Sequence, residues 1–297
     1  YNKYSVDLLA AINGSPTQGF GYTTLMTNNG KMVNRGVEIT LSGEIIRQKD
    51  FSWNASLLYA FNRNKVKHIS VQPSLWDSRI SMPTSYPMVG KPLYGIYAYK
   101  WAGLNENGDP QVYDAENNVT SGPARDYHAL VYCGTTVPIH NASLTNVLRY
   151  KGFEFSAMLI LDAGHKLRSS NIPSINMSNG RITSTAKGIV DRWTQPGDVT
   201  DVPRLLFSND TENFNTHRTE LYRYSDLFVY DASNIRLSNI SLAYRVPAHW
   251  CKKISLSGAR LQFNVENVAT FAFDSKANYD LGGKVKPNYV WGLYLNF

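Results

Sequence analysis

The chain has 297 residues, and its 30 Lys and Arg against 23 Asp and Glu give a formal net charge of +7. This length suits one large all-β domain or two ordinary domains. The basic residues are scattered along the chain, so the charge does not indicate a nucleic-acid-binding protein. The two cysteines, Cys133 and Cys251, are too few for a disulfide framework and lack the spacing of metal ligands.

The aromatic content favours strands over helices. The chain contains 19 Tyr, 12 Phe and 6 Trp, which are residue types enriched in β-strands. No segment approaches the roughly 20 consecutive apolar residues that a membrane-spanning helix needs. Any membrane role must therefore come from strands, since a bilayer is spanned by helices or by closed barrels.

Alternating apolar and polar residues predict eight strands whose connections are in turn long and short. Long loops joined to short turns in this order are typical of outer-membrane barrels, and the parity puts the last residue on the short-turn, periplasmic side. The predicted strands lie at about 1 to 10, 34 to 46, 51 to 63, 144 to 150, 153 to 163, 230 to 246, 254 to 267 and 286 to 297.

The third predicted strand has the clearest pattern of period two. Its apolar positions are aromatic at both ends and small or aliphatic between, as expected for a lipid-facing strand that crosses two interfacial girdles. Its length at about 3.3 Å per residue, tilted by about 40°, spans an apolar band about 25 Å tall. We expect a lipid-facing row at Phe51, Trp53, Ala55, Leu57, Tyr59 and Phe61.

A cluster of basic residues, at Arg63, Lys65, Lys67 and His68, lies just beyond that strand. In that position it either meets anionic lipid headgroups or belongs to a solvated loop. Isolated charge clusters usually mark solvated surfaces, so we favour the loop.

The long connection that follows contains a strand-like run at Tyr97, Tyr99 and Trp101. We place this run in extracellular β structure, because another crossing strand would make the strand count odd and break the turn parity. Trp76 and Tyr86 in the same connection are candidate ligand contacts, as stacking surfaces for a glycan or contacts for a peptide. Packing within the loops is the interpretation we favour for both.

The apolar pattern changes phase within the sixth predicted strand. Ile235 and Leu237 occupy odd positions, whereas Ile240 and Leu242 occupy even ones. A β-bulge near residue 238, or a strand leaving the lipid band there, accounts for the change.

The last predicted strand repeats the design of the third and ends on an aromatic residue. Such a strand resembles the terminal signal that the assembly machinery of bacterial outer-membrane proteins recognises, and an ordinary amphipathic strand is the alternative. Its apolar face carries Tyr289, Trp291, Leu293, Leu295 and Phe297.

Motifs that suggest chemistry have plainer interpretations. LNENGDPQVYD is rich in oxygen ligands but lacks the final Glu of an EF-hand, which favours an Asn-Gly turn. Three aspartates of DRWTQPGDVTD, at Asp191, Asp198 and Asp201, surround a Pro-Gly turn and favour a structural loop. The chain has no nucleophile motif and no glycine-rich phosphate loop. We therefore expect no catalytic, metal or cofactor site and no enzyme activity.

Several blocks carry a family resemblance that covers nearly the whole chain. A glycine-valine-glutamate strand, a tryptophan strand and an asparagine-rich exit resemble the SusC/RagA pattern in NRGVEITLSGEIIRQKDFSWNASLLYAFNRNKV. Later blocks match in the same order: VGKPLYGIYAYKWAGLNENGDPQVYD, YKGFEFS, RWTQPGDVTDVPR and DASNIRLSNISLAYRVP. The chain therefore resembles a SusC/RagA-like TonB-dependent transporter.

The resemblance implies an all-β fold in which residues 1–297 form the C-terminal part of an antiparallel transmembrane β-barrel with long extracellular loops. Such barrels resemble a cylinder of about 22 strands with a plugged lumen, of which this chain supplies about eight. The plug domain and the segment that contacts the TonB complex are expected upstream. The implied function is import of oligosaccharides or peptides across a Bacteroidetes-type outer membrane, together with a SusD-like surface lipoprotein.

Two other interpretations fit the alternating strands. A complete small outer-membrane barrel, acting as an anchor or an adhesin, has the same number of strands. A soluble carbohydrate-binding β-sandwich also alternates, but it needs neither aromatic girdles nor a terminal phenylalanine.

Overall fold

The structure is a computed structural model that describes residues 1–13, 24–69, 78–122, 126–178, 181–205, 218–282 and 286–297. The strands are β1 (Asn2–Asn13), β2 (Thr24–Arg47), β3 (Phe51–Ile69), β4 (Gly95–Tyr99), β5 (Trp101–Leu104), β6 (Pro110–Tyr113), β7 (Val119–Thr120), β8 (Leu130–Thr135), β9 (His140–Tyr150), β10 (Phe153–Ala163), β11 (Lys166–Arg168), β12 (Ile175–Ser178), β13 (Arg181–Thr185), β14 (Val229–Asp231), β15 (Asn234–Arg245), β16 (Gly258–Ala272) and β17 (Asn288–Asn296).

The helices in these ranges are short, and no described helix has the length and apolar character to cross a membrane. They are α1 (Ser78–Ser81), α2 (Arg218–Arg223), α3 (Ala248–Lys252) and α4 (Asn278–Gly282).

Eight strands form one antiparallel sheet in the order β1-β2-β3-β9-β10-β15-β16-β17. These are the eight strands predicted from the alternation, and each pairs with the next predicted strand along the chain. The all-β antiparallel prediction is therefore confirmed. The main difference is length, because β2 and β3 remain paired from Gly30 opposite Ile69 to Arg47 opposite Ser52.

Because β3 is longer than predicted, the basic cluster lies at a different place from the one expected. Arg63, Lys65, Lys67 and His68 lie inside β3, which runs to Ile69, and not in a loop beyond the strand. The prediction was wrong because hydrogen bonding between β2 and β3 continues past Phe61, where the apolar alternation stops.

The connections alternate as predicted. At one end of the sheet they are short: residues 48–50 join β2 to β3, residues 151–152 join β9 to β10, and residues 246–257 join β15 to β16. In the two-residue turn Lys151 has a φ of 48°, and its amide donates to the Asp50 carbonyl at 2.9 Å, which ties two short turns together. The long connections all leave the other end of the sheet.

The phase change near residue 238 is a β-bulge. The register shifts between Leu237 and Asn239 against β16, and between Met158 and Leu159 on the facing strand β10. Against β10 the extra residue is Ser238, whereas on β16 two residues, Asn267 and Val268, lie opposite it. Because of this bulge, the apolar side chains of β15 before and after Ser238 face the same side of the sheet.

The long connections fold into a separate layer with its own small sheets, β4-β8, β5-β6-β7, β11-β14 and β12-β13. We call this the loop layer, meaning residues 78–139, 164–205 and 218–233 where they are described. Its buried centre contains Tyr97, Tyr99, Val112, Ala129, Leu130 and Leu221. The run from Tyr97 to Trp101 lies in this layer and not in the large sheet, as predicted.

Candidate functional site

The large sheet has one continuous apolar face. Residues directly opposite each other on neighbouring strands share a face, so the register alone defines it. One row runs across five strands through Leu41, Leu57, Leu144, Leu159 and Leu237.

A second row joins the two predicted apolar sets. It starts at Trp53 on β3 and ends at Trp291 on β17, passing through Leu148, Phe155, Leu242 and Phe263. The rings of Phe263 and Trp291 lie 4.2 Å apart. The predicted residues of the third and last strands therefore face the same side of one sheet.

The predicted apolar residues of β17 are strongly exposed. Trp291 is 78% exposed and Leu293 61% exposed. Tyr289 lies opposite Val265 and Leu295 opposite Ala259, and Phe297 follows the end of the strand. A large exposed apolar surface of this kind marks contact with a membrane or another protein.

Two aromatic side chains of β3 on this face have a polar atom that is hydrogen-bonded within the sheet. The Trp53 indole N–H donates to the Asn146 side-chain oxygen at 3.1 Å. The Tyr59 hydroxyl lies 2.9 Å from His140 Nδ1. Both aromatic residues thus present their ring to the apolar row while their polar atom is hydrogen-bonded within the sheet.

The opposite face of the sheet is polar. The hydroxyls of Ser42 and Ser56 are 2.7 Å apart across β2 and β3. Glu154 accepts from Arg149 at 2.8 Å and from Arg260 at 3.2 Å, which links three strands. A sheet with one apolar and one polar face, alternating along each strand, has the pattern of a barrel wall between lipid and a water-filled or plugged interior.

Aromatic side chains hold the loop layer together. The Met88 amide donates to the Tyr97 hydroxyl at 3.1 Å, and burial raises the pKa of Tyr97. Trp101 and Tyr222 lie 5.7 Å apart between ring centres, and burial also raises the pKa of Tyr222. These aromatics are packed against protein and not presented to a ligand.

The two predicted ligand contacts differ in what the structure shows of them. Tyr86 is half-buried at the edge of the loop layer, where its amide donates to the Met82 carbonyl at 3.1 Å. Trp76 lies outside the described residues. Their role as ligand contacts stays a prediction.

The acidic LNENGDP segment forms the β5–β6 hairpin. The Asn105 side-chain oxygen accepts from the amides of Asn107 and Asp109, both at 2.9 Å, and Gly108 has a φ of 74°. The Asp109 carboxylate binds Arg218 at 2.6 Å and Arg204 at 3.2 Å. Because two guanidinium groups occupy this carboxylate, the segment is a turn and not a calcium loop.

The aspartates of the RWTQPGD segment hold a loop. Asp198 accepts from the Thr194 hydroxyl and amide and from the Gln195 amide, and these bonds lower its pKa. Asp201 accepts from the Trp101 indole N–H at 3.0 Å. In the described ranges no group of three or more His, Cys, Asp and Glu side chains is placed to hold a metal ion.

The cysteines lie at opposite ends of the sheet and are both free. Cys133 is in β8 of the loop layer, and Cys251 is in α3 of a short connection. Burial, followed by the nearby Asp226 carboxylate, raises the pKa of Cys133 to about 11. Such a thiol is protonated at neutral pH and is a poor nucleophile.

A cleft of about 560 Å³ opens where β2 and β3 meet the loop layer. It is lined by residues of β2 and β3, by Gly90, Lys91 and Pro92, and by residues 132–139. Three residues of the basic cluster of β3, Arg63, Lys65 and Lys67, lie on its wall. The sequence does not reveal this site, because its wall is completed by residues 90–92 and by residues between 132 and 139, which are distant from β3 along the chain.

The fold and the two faces define a class of protein. An antiparallel sheet with a continuous apolar face, short turns at one end and folded loops at the other has the architecture of part of a transmembrane β-barrel wall.

Known proteins of that class are similar to this chain. TonB-dependent receptor P3 of Formosa agariphila is 24% identical over 294 residues, which cover 92% of this chain and 28% of the relative. TonB-dependent receptor SusC of Bacteroides thetaiotaomicron is 22% identical over 263 residues, which cover 84% of this chain and 24% of the relative. No family model matches the chain.

A solved structure agrees. The RagAB peptide importer in its open-open state superposes with a TM-score of 0.72 at 20% identity, covering 100% of this chain and 32% of that chain. At this identity the match shows the fold alone. Together the matches confirm the predicted resemblance to SusC/RagA-like TonB-dependent transporters. These relatives are receptors and importers by name, and none is described as an enzyme.

The chain spans about a quarter to a third of the length of the relatives and the solved structure that it matches. The described fold thus matches one part of each of these longer proteins.

The Asp109 cluster is expected to stabilise the β5–β6 hairpin. Asp109→Asn leaves two guanidinium groups without their carboxylate, and breaking these two partly buried ion pairs costs about 3 kcal/mol in total. In the full-length protein we expect amide hydrogen exchange in residues 101–113 to accelerate by roughly 100-fold. Asp198→Asn is the control, because its carboxylate binds only its own turn, and it leaves this hairpin protected. Equal exchange in the two variants would contradict the role of the cluster.

The pKa of Cys133 predicts slow alkylation. A thiol with a pKa of about 11 is mostly protonated at pH 8, so its reaction with iodoacetamide is expected to accelerate as the pH rises towards 11. In a Cys251→Ser background, we expect labelling of Cys133 at pH 8 to be at least about 100-fold slower than that of an exposed cysteine with a pKa of about 8.5. Ser85→Cys in the same layer supplies that comparison. Fast labelling of Cys133 at pH 8 would show that the thiol is ionised.

Proposed function

We propose that this chain is the C-terminal part of the barrel of a TonB-dependent importer in a bacterial outer membrane. The continuous apolar face carries the proposal, because it reaches from Trp53 to Trp291 across six strands and its residues are exposed or half-buried. In a membrane this face contacts lipid. The predicted lipid-facing residues of β3 and β17 then form part of the outer surface of the barrel.

The architecture supports this proposal over a β-sandwich. A sandwich buries the apolar faces of two sheets against each other at a spacing of about 10 Å. Here Leu57 is 37% exposed, Leu293 61% and Trp291 78%, so in the described residues nothing covers that face.

A complete eight-stranded barrel is also less well supported. Closing such a barrel requires its first and last strands to pair, whereas β1 and β17 lie at the two ends of the strand order. The chain matches only about a quarter of the length of each of two TonB-dependent receptors, which also favours a segment of a wider barrel.

We propose oligosaccharides or peptides as the cargo, taken up together with a SusD-like surface lipoprotein. The relatives support this pairing, since one is SusC and another is the RagAB peptide importer. The loop layer then forms part of the mouth that the lipoprotein covers, and Trp76 and Tyr86 are candidate ligand contacts. The plug and the segment that meets the TonB complex belong to the remainder of the transporter. Growth of a gene-deletion strain on defined glycans or peptides identifies the cargo.

The lipid-facing assignment has a direct test in the full-length protein reconstituted in vesicles. Spin labels at Leu57→Cys and Leu293→Cys are expected to collide with dissolved oxygen and to be protected from a water-soluble nickel complex, because oxygen concentrates in hydrocarbon. Ser56→Cys and Ser241→Cys are the matched controls, since both lie on the polar face of the same sheet. They are expected to show the reverse. Nickel accessibility at Leu57 and Leu293 equal to that of the controls would refute the importer proposal.

A further inference from the structure

The cleft between the large sheet and the loop layer concentrates positive charge. Its described lining includes five basic side chains and no carboxylate: Arg35, Arg63, Lys65, Lys67 and Lys91. None of the five forms an ion pair within the part of the chain that the structure describes. A charge cluster of this kind attracts an anion.

Two of these cations face each other across the strands. Arg35 lies directly opposite Arg63 in the β2–β3 register. Like charges in directly opposed positions destabilise a sheet. Arg35 also donates to Asn2 at 3.2 Å, which orients its guanidinium without neutralising it. An anion bound between the strands removes this repulsion.

The backbone holds the walls of the cleft in place. The Gly90 amide donates to the Val66 carbonyl, and the Val66 amide donates to the Lys91 carbonyl, both at 2.9 Å. The Leu93 amide donates to the Asn64 side chain at 3.0 Å. Lys91 lies over the Tyr132 ring at 4.9 Å. The basic side chains thus project from a hydrogen-bonded frame, in which Val66 is 4% exposed.

The cleft begins where the apolar face ends. On β3, Arg63 and Lys65 follow Phe61 at intervals of two, so they share its face. On β2, which runs in the opposite direction, Arg35 lies two residues before Val37 and shares its face. Val37 lies opposite Phe61. Two neighbouring strands therefore change from apolar to cationic at the same level. A ligand that matches this pattern has an apolar part and an anionic end.

We propose that this cleft binds the phosphate headgroup of a membrane lipid on the loop side of the bilayer, with the acyl chains against the apolar face. The inference rests on the proposed function, because it requires the apolar face to contact lipid. Guanidinium groups form paired hydrogen bonds with phosphate oxygens, and Arg35 and Arg63 supply two of them. Lys65, Lys67 and Lys91 add point charges around the same volume.

The test compares lipids that differ only in the phosphate. Full-length transporter in neutral detergent is titrated with phosphatidic acid and with diacylglycerol of the same chains, and bound lipid is counted by native mass spectrometry. We expect clear preference for phosphatidic acid. The triple variant Arg63→Gln, Lys65→Gln, Lys67→Gln should weaken phosphatidic acid binding by roughly 100-fold, at about fivefold for each charge near the surface.

The control is a second triple variant that also removes three positive charges, but at the other end of the sheet. Its substitutions are Arg47→Gln, Lys252→Gln and Lys253→Gln, all at exposed positions. It should bind phosphatidic acid like the unmodified protein. Equal binding of the two lipids, or equal loss in both triple variants, overturns the inference. Inorganic phosphate that binds as tightly as phosphatidic acid also overturns it, since the site would then take free phosphate.

The spin labels at Leu57 and Leu293 separate this inference from the importer proposal. If both labels lie in hydrocarbon and the protein shows no preference for phosphatidic acid, the lipid site is refuted and the importer proposal stands. Labels exposed to water refute both. Retained oxygen collision in the Arg63→Gln, Lys65→Gln, Lys67→Gln variant shows that the sheet is folded, so loss of lipid binding then reports on the cations and supports the site.

Discussion

The register between neighbouring strands is the constraint on which this structure depends. Side chains alternate with a period of two, so a slip of one residue would turn the whole apolar set of a strand to the polar side. The row from Trp53 to Trp291 passes through five strand pairings, and each must be in phase for the row to exist. The continuous apolar side and the polar side of the sheet both follow from that agreement.

The loop layer depends on a different interaction. Its strands are short, and its stability comes from buried aromatics such as Tyr97 and Tyr99 and from the Asp109 ion cluster. Arg168 donates to the Tyr97 carbonyl at 2.7 Å, so β11 is bound to β4. The loops at the mouth are therefore a packed structure with its own centre, which sets the walls of the basic cleft where they meet β3.

The large sheet could be predicted from the sequence because each strand carries a local signal. Trp53, Leu57 and Phe61 repeat at even intervals, and so do Trp291 and Leu293, since one side of these strands must be apolar throughout. Beyond Phe61 that requirement ends, and β3 continues on backbone hydrogen bonds to β2 and on contacts with the loop layer, such as those of Asn64 and the buried Val66. The contact between Asp109 and Arg218 joins residues 109 positions apart and leaves no local pattern. The cleft likewise needs Lys91 beside Lys65, which only the folded chain brings together.

The bulge at Ser238 has a consequence for how this strand can vary in length. The extra residue lies between two halves of β15, the first with Ile235 and Leu237 and the second with Ile240 and Leu242, and it keeps the apolar side chains of both halves on one side of the sheet. Deleting Ser238 would join the halves into one regular alternation whose apolar side chains still share a side, so the residue and the bulge can be lost together. Homologous chains should therefore be able to lack this one residue, and with it the bulge, without turning either half of the strand to the polar side.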